Sequence, residues 1–276
     1  MSVQFVENIL LADYRAEREL FKALFQPECR RPILMFNGNS GFGKSTLVRW
    51  CLKNIPLDVA FIPIDFKTST HSLVEILHAS TRALGNQAFP KFLSLVNDFV
   101  SVVEIKGNTI TGQGNRIQVA LSAESPDSLQ YRRTYLTEAW LDDIRDSGKI
   151  VLFIFDTYER ASLEVQQWIS GTFLAWIPYI RNIRVLIAGQ ELPDQNNIIW
   201  QDLSMTRAMP GVPNVEDWMP VLRATGRKPA VRDVRSWLAG VCVALNGRPA
   251  EIMQLIESLP LGEWSDIEGL TREERS

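Results

Sequence analysis

The chain is poor in the residues that ligate metals or form disulfides. Its 276 residues include three cysteines and two histidines. Cys29, Cys51 and Cys242 are odd in number, lie far apart and form no C-x-x-C pair, so their spacing fits neither a metal site nor a disulfide framework. His71 and His78 lie two turns apart on a predicted helix, which is too far to chelate one ion readily. The composition therefore argues against a metal centre or a disulfide scaffold built on these side chains.

A strong net charge and a long apolar run are also lacking. The net charge is −3 and the sequence pI is about 5.6, so no basic field would draw the chain to nucleic acid or to an anionic membrane. No apolar run approaches the ~20 residues that a membrane-spanning helix needs. The N-terminus lacks the basic start and the small-residue cleavage site of a signal peptide. These absences predict a cytoplasmic protein without a membrane partner, and they argue against a nucleic-acid partner.

Short apolar runs alternate with helical patterns through most of the chain. Hydrophobic residues make up 46% and charged residues 22%, as in ordinary globular proteins. Buried parallel strands are indicated by the runs RPILMFNG, DVAFIPIDF, KIVLFIFD and IRVLIAG, and a fifth strand is possible at 203–209. This alternation predicts an α/β fold with three layers, α/β/α, around a parallel sheet of about five strands.

Three parts of the chain are distinguished by pattern. Residues 1–30 contain an amphipathic helix, expected over 5–25, and residues 31–210 form the α/β core. Several prolines follow, after which the pattern is helical only, which predicts a small helical domain at 211–276.

The segment 66–148 is long for a connection between neighbouring strands, and we therefore expect an inserted lobe there. Two helices are predicted at 70–85 and 88–105. The following glycines and strand-forming residues predict a hairpin near 107–121, which is either a partner-binding projection or an ordinary surface hairpin.

The stretch NGNSGFGKST at 37–46 contains the pattern G-x-x-x-x-G-K-[ST] in full. Its glycines allow backbone N–H groups to converge on an anion, and the helix that follows adds the positive end of its dipole. The motif follows an apolar strand and opens a helix, as this mechanism requires; the alternative is a glycine turn with no ligand. We predict nucleotide binding by Gly38, Asn39, Ser40, Gly41, Phe42, Gly43, Lys44, Ser45 and Thr46.

Two of these residues have further predicted roles. Lys44 can reach the β- and γ-phosphates, and Ser45 can ligate Mg²⁺. In such sites an acid at the end of a neighbouring strand also holds the magnesium. Asp156 closes KIVLFIFD and is the candidate, the alternative being a cap for the helix that follows.

Hydrolysis needs a group that orients or deprotonates the attacking water. The position after Asp156 is Thr157, where many P-loop ATPases have an acid. Glu159 is then either the catalytic residue or a first-turn glutamate favoured by the helix dipole. Gln190, at the end of IRVLIAGQ, is either a sensor of the γ-phosphate or a polar loop residue.

The order of these motifs resembles P-loop NTPases of the additional-strand type, and within them the STAND class of signalling ATPases, which are relatives of AAA+ proteins. AEREL at 16–20 resembles the end of the family's G-R-E-x-E-L element, although Arg15 and Ala16 stand where Gly-Arg is expected. LFIFDTYER is similar to the Walker B segment of bacterial members. ALNGRPAEIMQLI resembles their G-x-P motif, with Gly247 and Pro249 matching it.

The resemblance implies a switch that binds ATP or ADP together with Mg²⁺. Ser45 and Asp156 would hold the Mg²⁺. Lys44 and Glu159 would be catalytic and Gln190 would sense the nucleotide. Pro249 would approach the base; from the residues alone it is also a proline that starts a helix. Exchange or slow hydrolysis, at most a weak ATPase activity, would drive a rearrangement of domains.

Some parts of a STAND protein are not recognisable in this sequence. It shows no effector domain and no repeat of 20 to 50 residues that would form a sensing solenoid. The resemblance therefore implies a protein partner on another chain, a nucleotide-dependent oligomer, or that the chain is a fragment of a longer one. Two alternatives stay open: a scaffold that holds nucleotide without turnover, and a P-loop kinase or ATPase acting on a small molecule.

Overall fold

The predicted strands form a single sheet. A computed structural model describes residues 9–68, 72–104, 110–122 and 125–264. The strands lie where the short apolar runs predict them. They are β1 (Ile33–Asn37), β2 (Ala60–Asp65), β3 (Val151–Asp156), β4 (Ile183–Gly189) and β5 (Ser204–Ala208).

The helices follow the predicted pattern in the 73–104 region and after residue 214. In the part of the chain that the structure describes, no helix is long and apolar enough to cross a membrane. Short 3₁₀ turns occupy Asn86–Ala88, Tyr158–Arg160, Ile177–Tyr179 and Gln201–Leu203, and a π-helical turn occupies Ile169–Phe173. The α-helices are α1 (Arg15–Ala23), α2 (Lys44–Lys53), α3 (Leu73–Leu84), α4 (Pro90–Glu104), α5 (Gln113–Ala120), α6 (Pro126–Asp146), α7 (Leu163–Trp168), α8 (Leu174–Trp176), α9 (Val215–Ala224), α10 (Val234–Ala244) and α11 (Pro249–Ser258).

The strand order is β2-β3-β4-β1-β5. β3 pairs in parallel with both β2 and β4, and Asp65 and Asp156 are register partners at the ends of their strands. Every residue of β3 and β4 is buried, as expected for strands covered on both faces. The sheet and its helices confirm the predicted α/β fold, the three-layer α/β/α fold of P-loop NTPases.

Two compact units make up the chain. Unit 1 consists of residues 1–22, 37–54 and 207–276, and unit 2 of residues 23–36 and 55–206. Unit 1 thus contains the glycine-rich stretch and the three C-terminal helices, whereas unit 2 contains most of the sheet and the 66–148 segment. The predicted division at residues 30 and 210 stays a prediction.

Unit 2 is organised around a cluster of aromatic side chains. Trp140 of α6 lies edge-on to Phe153 of β3 with 5.4 Å between ring centroids, and Phe173 lies 4.9 Å from Phe153. The indole N–H of Trp140 donates to the hydroxyl of Ser80, so its one polar atom is satisfied in the core. This cluster fixes β3, and with it Asp156, against α6.

The first helix is shorter than predicted. α1 begins only at Arg15, because Asp13 and Tyr14 have φ values of 59° and 58°. Two successive residues in the left-handed region cannot continue a right-handed helix. Residues 9–14 therefore lie outside the helix expected over 5–25, and residues 5–8 lie outside the described part of the chain.

The hairpin expected near 107–121 is wrong over its second half, and residues 107–109 lie outside the described ranges. Gln113–Ala120 form α5 rather than a strand. Ile117 and Ala120 are spaced to lie on one helical face and are both fully buried in the core of unit 2. Burial of this face outweighs the strand-forming preference of the local sequence.

Candidate functional site

The glycine-rich loop of unit 1 has a backbone that favours glycine. Gly41 and Gly43 have φ values of 86° and 77°, a region that side chains disfavour. α2 starts immediately afterwards at Lys44, and its N-cap residue, Gly43, makes no side-chain hydrogen bond to the helix. Its first turn also contains no acidic residue. The loop thus presents an uncapped helix N-terminus, which suits a phosphate group.

The ammonium group of Lys44 lies at this loop. The residue is 9% exposed, and its Nζ donates to the carbonyl oxygens of Gly38 and, at 2.9 Å, of Asn39. These neutral acceptors can be exchanged for phosphate oxygens, which form stronger charge-assisted hydrogen bonds. Ser45, the next residue of α2, is exposed.

The G-x-P segment contacts the loop directly within unit 1. The N–H of Ala250 donates to the carbonyl oxygen of Gly41 at 3.0 Å. Cγ of Pro249 lies 3.6 Å from the position that a Cβ on Gly43 would occupy. The structure therefore brings Pro249 together with the predicted phosphate-binding residues, although 206 positions separate it from Gly43 in sequence.

Tyr14 also contacts the loop, and the sequence did not single it out. Its hydroxyl donates to the carbonyl oxygen of Phe42 at 2.7 Å, and its ring lies 3.2 Å from the Cβ position of Gly43. Burial, and secondarily the carboxylates of Glu17 and Asp13, raise the pKa of Tyr14 well above its ordinary value. The phenol therefore stays protonated and remains a hydrogen-bond donor across the physiological pH range.

A small cavity of about 100 Å³ lies beside the loop in unit 1. Its walls are largely apolar. A cavity this size encloses only one part of a ligand, because pockets for whole drug-sized molecules start at about 300 Å³. The lining residues are Leu10, Leu11, Ala12, Tyr14, Gly43, Thr46, Trp218, Pro249, Ala250 and Met253.

Two ion pairs connect α1 to the C-terminal part of unit 1. Glu17, 4% exposed, accepts from Nε of Arg207 at 3.3 Å. Arg15 lies 3.9 Å from Asp217 at the start of α9. Glu17 belongs to the AEREL stretch. The buried carboxylate of Glu17 therefore anchors α1 to Arg207.

In unit 2, Asp156 is 8% exposed at the carboxyl end of β3. Its Oδ1 accepts from the N–H of Thr157 at 2.8 Å. Thr157 has φ 58° and ψ 44°, a left-handed conformation that is strained for a β-branched residue. The next α-helix, α7, is capped by Ser162, whose side chain accepts from the N–H of Val165.

Glu159 and Gln190 form a pair in unit 2. One carboxylate oxygen of Glu159 accepts from the backbone N–H of Gln190 at 2.9 Å, and the other accepts from its side-chain amide at 3.1 Å. A Cβ on Gly189 would lie 2.4 Å from the carbonyl oxygen of Glu191 and 2.9 Å from Oε2 of Glu159, so the tight turn needs glycine there. The two predicted site residues are thus brought together.

Comparison with known proteins gives matches only at the level of structure. No protein-family model and no curated protein sequence matches the chain. The structure is similar to Cdc6p from Pyrobaculum aerophilum, with a TM-score of 0.53 and 13% identity over 93% of this chain and 63% of that chain. This chain therefore spans less than two thirds of the length of that protein.

Two further solved structures match with lower TM-scores. The Orc1 protein of Aeropyrum pernix, solved in complex with DNA, gives 0.48 at 12% identity over 91% of this chain and 61% of its own. A Walker-type ATPase of Pyrococcus abyssi gives 0.43 at 14% identity over 89% and 71%. At these identities the likeness concerns the fold alone, and the Cdc6p match agrees with the P-loop α/β/α architecture.

Proposed function

We propose that this chain is a nucleotide-dependent switch of the STAND type, which binds ATP or ADP with Mg²⁺. The observation that carries the proposal is the contact between the phosphate loop and the G-x-P segment within unit 1. Because Ala250 donates to Gly41 and Pro249 lies against Gly43, a ligand bound at the loop would lie beside the helical segment. Nucleotide states that engage this segment differently would shift its equilibrium position.

The apolar cavity beside the loop is the proposed site of the base. Tyr14 and Pro249 both line it, and both lie against Gly43 at the loop. A nucleotide combines a flat, weakly polar ring with a charged phosphate chain, so it matches an apolar cavity next to an uncapped helix N-terminus. Gly38 to Thr46 are proposed to bind the phosphates.

The ammonium group of Lys44 is proposed to form ion pairs with the β- and γ-phosphates. When bound, Mg²⁺ neutralises charge on the phosphate oxygens. Ser45 and Asp156 are proposed to hold it, an assignment that rests on the sequence motifs. Both side chains are hard oxygen donors of the kind that Mg²⁺ prefers.

Hydrolysis is proposed to be slow. Thr157 stands where many P-loop ATPases have an acid, and both oxygens of Glu159 are engaged by Gln190. Glu159 must exchange at least one of these hydrogen bonds before it can accept a proton from water. Release of Glu159 from Gln190 therefore limits the rate.

Release and turnover of nucleotide test this function in one experiment. The purified protein is denatured, any released nucleotide is identified, and turnover is measured for the wild type, Glu159→Gln and Gln190→Ala. We expect bound ADP, a loss of about 100-fold in turnover for Glu159→Gln, and a severalfold gain for Gln190→Ala, because removal of the side-chain amide frees one of the two carboxylate oxygens of Glu159.

Glu191→Gln is the matched control, since it removes a neighbouring exposed carboxylate and should leave turnover unchanged. Wild-type turnover in Glu159→Gln would show that Glu159 is not the base. Rapid turnover that depends on an added metabolite would favour a small-molecule kinase and contradict the switch.

A protein partner on another chain, or a nucleotide-dependent oligomer, completes the proposal. A switch must pass its state to something else, and no effector domain is recognisable in the sequence. The expectations of a cytoplasmic location and of no nucleic-acid partner stay predictions.

A further inference from the structure

A second cavity lies in unit 2, among the first residue of α3, the N-terminal half of α6 and helix α7. Its volume is about 250 Å³. α3 and α7 follow the carboxyl ends of β2 and β3, which is the edge of an α/β sheet at which ligands bind. All residues that line this cavity belong to unit 2. It therefore shares no lining residue with the cavity lined by Tyr14 and Pro249.

Arg133 is the charged donor in this cavity, and it is only partly paired. Its Nη2 lies 2.5 Å from Oε1 of Glu164. Its Nε is buried and has no hydrogen-bond partner among the described residues. Nε–H and Nη2–H lie on the same edge of the guanidinium, the edge that binds a carboxylate through two parallel hydrogen bonds. Glu164 satisfies only one of the two donors.

Glu164 is well placed to be displaced. Its side chain is 51% exposed, and ion pairs at that level of exposure contribute little to stability. A carboxylate that binds both nitrogens would satisfy the buried Nε as well. The exchange therefore replaces one charge-assisted hydrogen bond by two.

The other walls suit a compact ligand with an apolar part. The indole N–H of Trp168 donates to the hydroxyl of Thr137 at 3.2 Å, which fixes the ring, and Leu73 adds an aliphatic surface. Thr172 comes from the π-helical turn, a distortion that is frequent at functional sites. The volume lies just below the ~300 Å³ at which drug-sized pockets begin, so it fits a group about the size of one amino-acid residue.

We propose that this cavity binds a small organic carboxylate. The carboxylate takes both Nε and Nη2 of Arg133 in place of Glu164, and the apolar part of the ligand contacts Leu73 and Trp168. The same chemistry is offered by a free carboxylic acid and by the C-terminal residue of a peptide.

Calorimetric titration of the full chain with N-acetyl-leucine tests the proposal, with N-acetyl-leucinamide as the probe that lacks only the charge. We expect the acid to bind and the amide to bind at least tenfold more weakly. Arg133→Lys keeps the charge but removes the planar fork, and should weaken binding of the acid at least tenfold. Glu164→Gln removes the competing carboxylate and should strengthen it severalfold.

Lys53→Ala is the control outside the cavity and should bind the acid as the wild type does. A thermal melt of Arg133→Lys that matches the wild type shows that the variant is folded. Titrations with leucine and with Gly-Gly-Leu then distinguish the sources, since tighter binding of the tripeptide assigns the site to a peptide C-terminus and tighter binding of leucine to a free acid. No binding of any of these probes, equal binding of acid and amide, or unchanged binding in Arg133→Lys would overturn the proposal.

Discussion

Replacing Lys44 with alanine is expected to lower the affinity for ATP and ADP by about 10- to 100-fold. A hydrogen bond to a charged group contributes about 1.5–3 kcal/mol, and each 1.4 kcal/mol is a factor of about ten in affinity. Lys44 is the buried ammonium at the loop, where its Nζ lies against the carbonyl oxygens of Gly38 and Asn39. Equilibrium titration with a fluorescent ADP analogue measures the change.

Lys53→Ala is the matched control for this variant. Lys53 is exposed in the last turn of the same helix, so its replacement changes the net charge equally without touching the loop. Its affinity for ADP should stay within about twofold of the wild type, since exposed charges contribute little. An affinity of Lys44→Ala equal to that of Lys53→Ala would contradict the assignment of the loop as the phosphate site.

Gly247→Ala is expected to destabilise the protein by about 2–5 kcal/mol. Gly247 has φ 62°, a conformation that costs a residue with a Cβ about 1–2 kcal/mol. The added methyl group would lie 2.7 Å from backbone atoms of Val212 and Pro213, and overpacking of this kind costs about 1–3 kcal/mol. The N–H of Val212 donates to the Gly247 carbonyl at 2.6 Å, so the segment cannot shift without losing a hydrogen bond.

Urea unfolding measures this loss, and Gly240→Ala is its control. Gly240 lies within α10, and apart from its chain neighbours and the backbone of its own helix no described atom lies within 4 Å of its Cβ position. Alanine there should stabilise the helix by about 0.5–1 kcal/mol. Equal midpoints for the two variants would show that the G-x-P turn is not constrained by its backbone.

ADP binding should weaken in Gly247→Ala, because Pro249 follows two residues later.

The features predicted correctly from the sequence are those with a local signal. The β3 run is continuous and ends in Asp156, and the glycine-rich loop lies between a strand, β1, and a helix, α2, as its motif predicts, so both are readable in a few residues. A hairpin was predicted in place of α5 because the segment 107–121 carries strand-forming residues and three glycines, Gly107, Gly112 and Gly114. What decides its structure is the burial of Ile117 and Ala120 against other helices.

Contacts between remote segments could not be predicted from one sequence. Tyr14 has an ordinary local context, and its role depends on a left-handed backbone that brings it to Phe42 and Gly43. Glu159 and Gln190 were each predicted as candidate site residues. Their pairing could not be predicted, because Glu159 follows β3 and Gln190 follows β4, and only the fold brings these two segments together. The position of the Arg133 guanidinium beside Glu164 likewise depends on the approach of α6 and α7.

The central claim is that nucleotide state changes the helical segment that carries Pro249. Amide hydrogen exchange over α11, residues 249–258, tests it directly with ADP and with a non-hydrolysable ATP analogue at saturating concentrations. We predict that ADP slows exchange across this helix relative to the ATP analogue by at least tenfold, because the two states differ in their interaction with the segment. Equal protection by both nucleotides would contradict the switch and leave a scaffold that only holds its ligand.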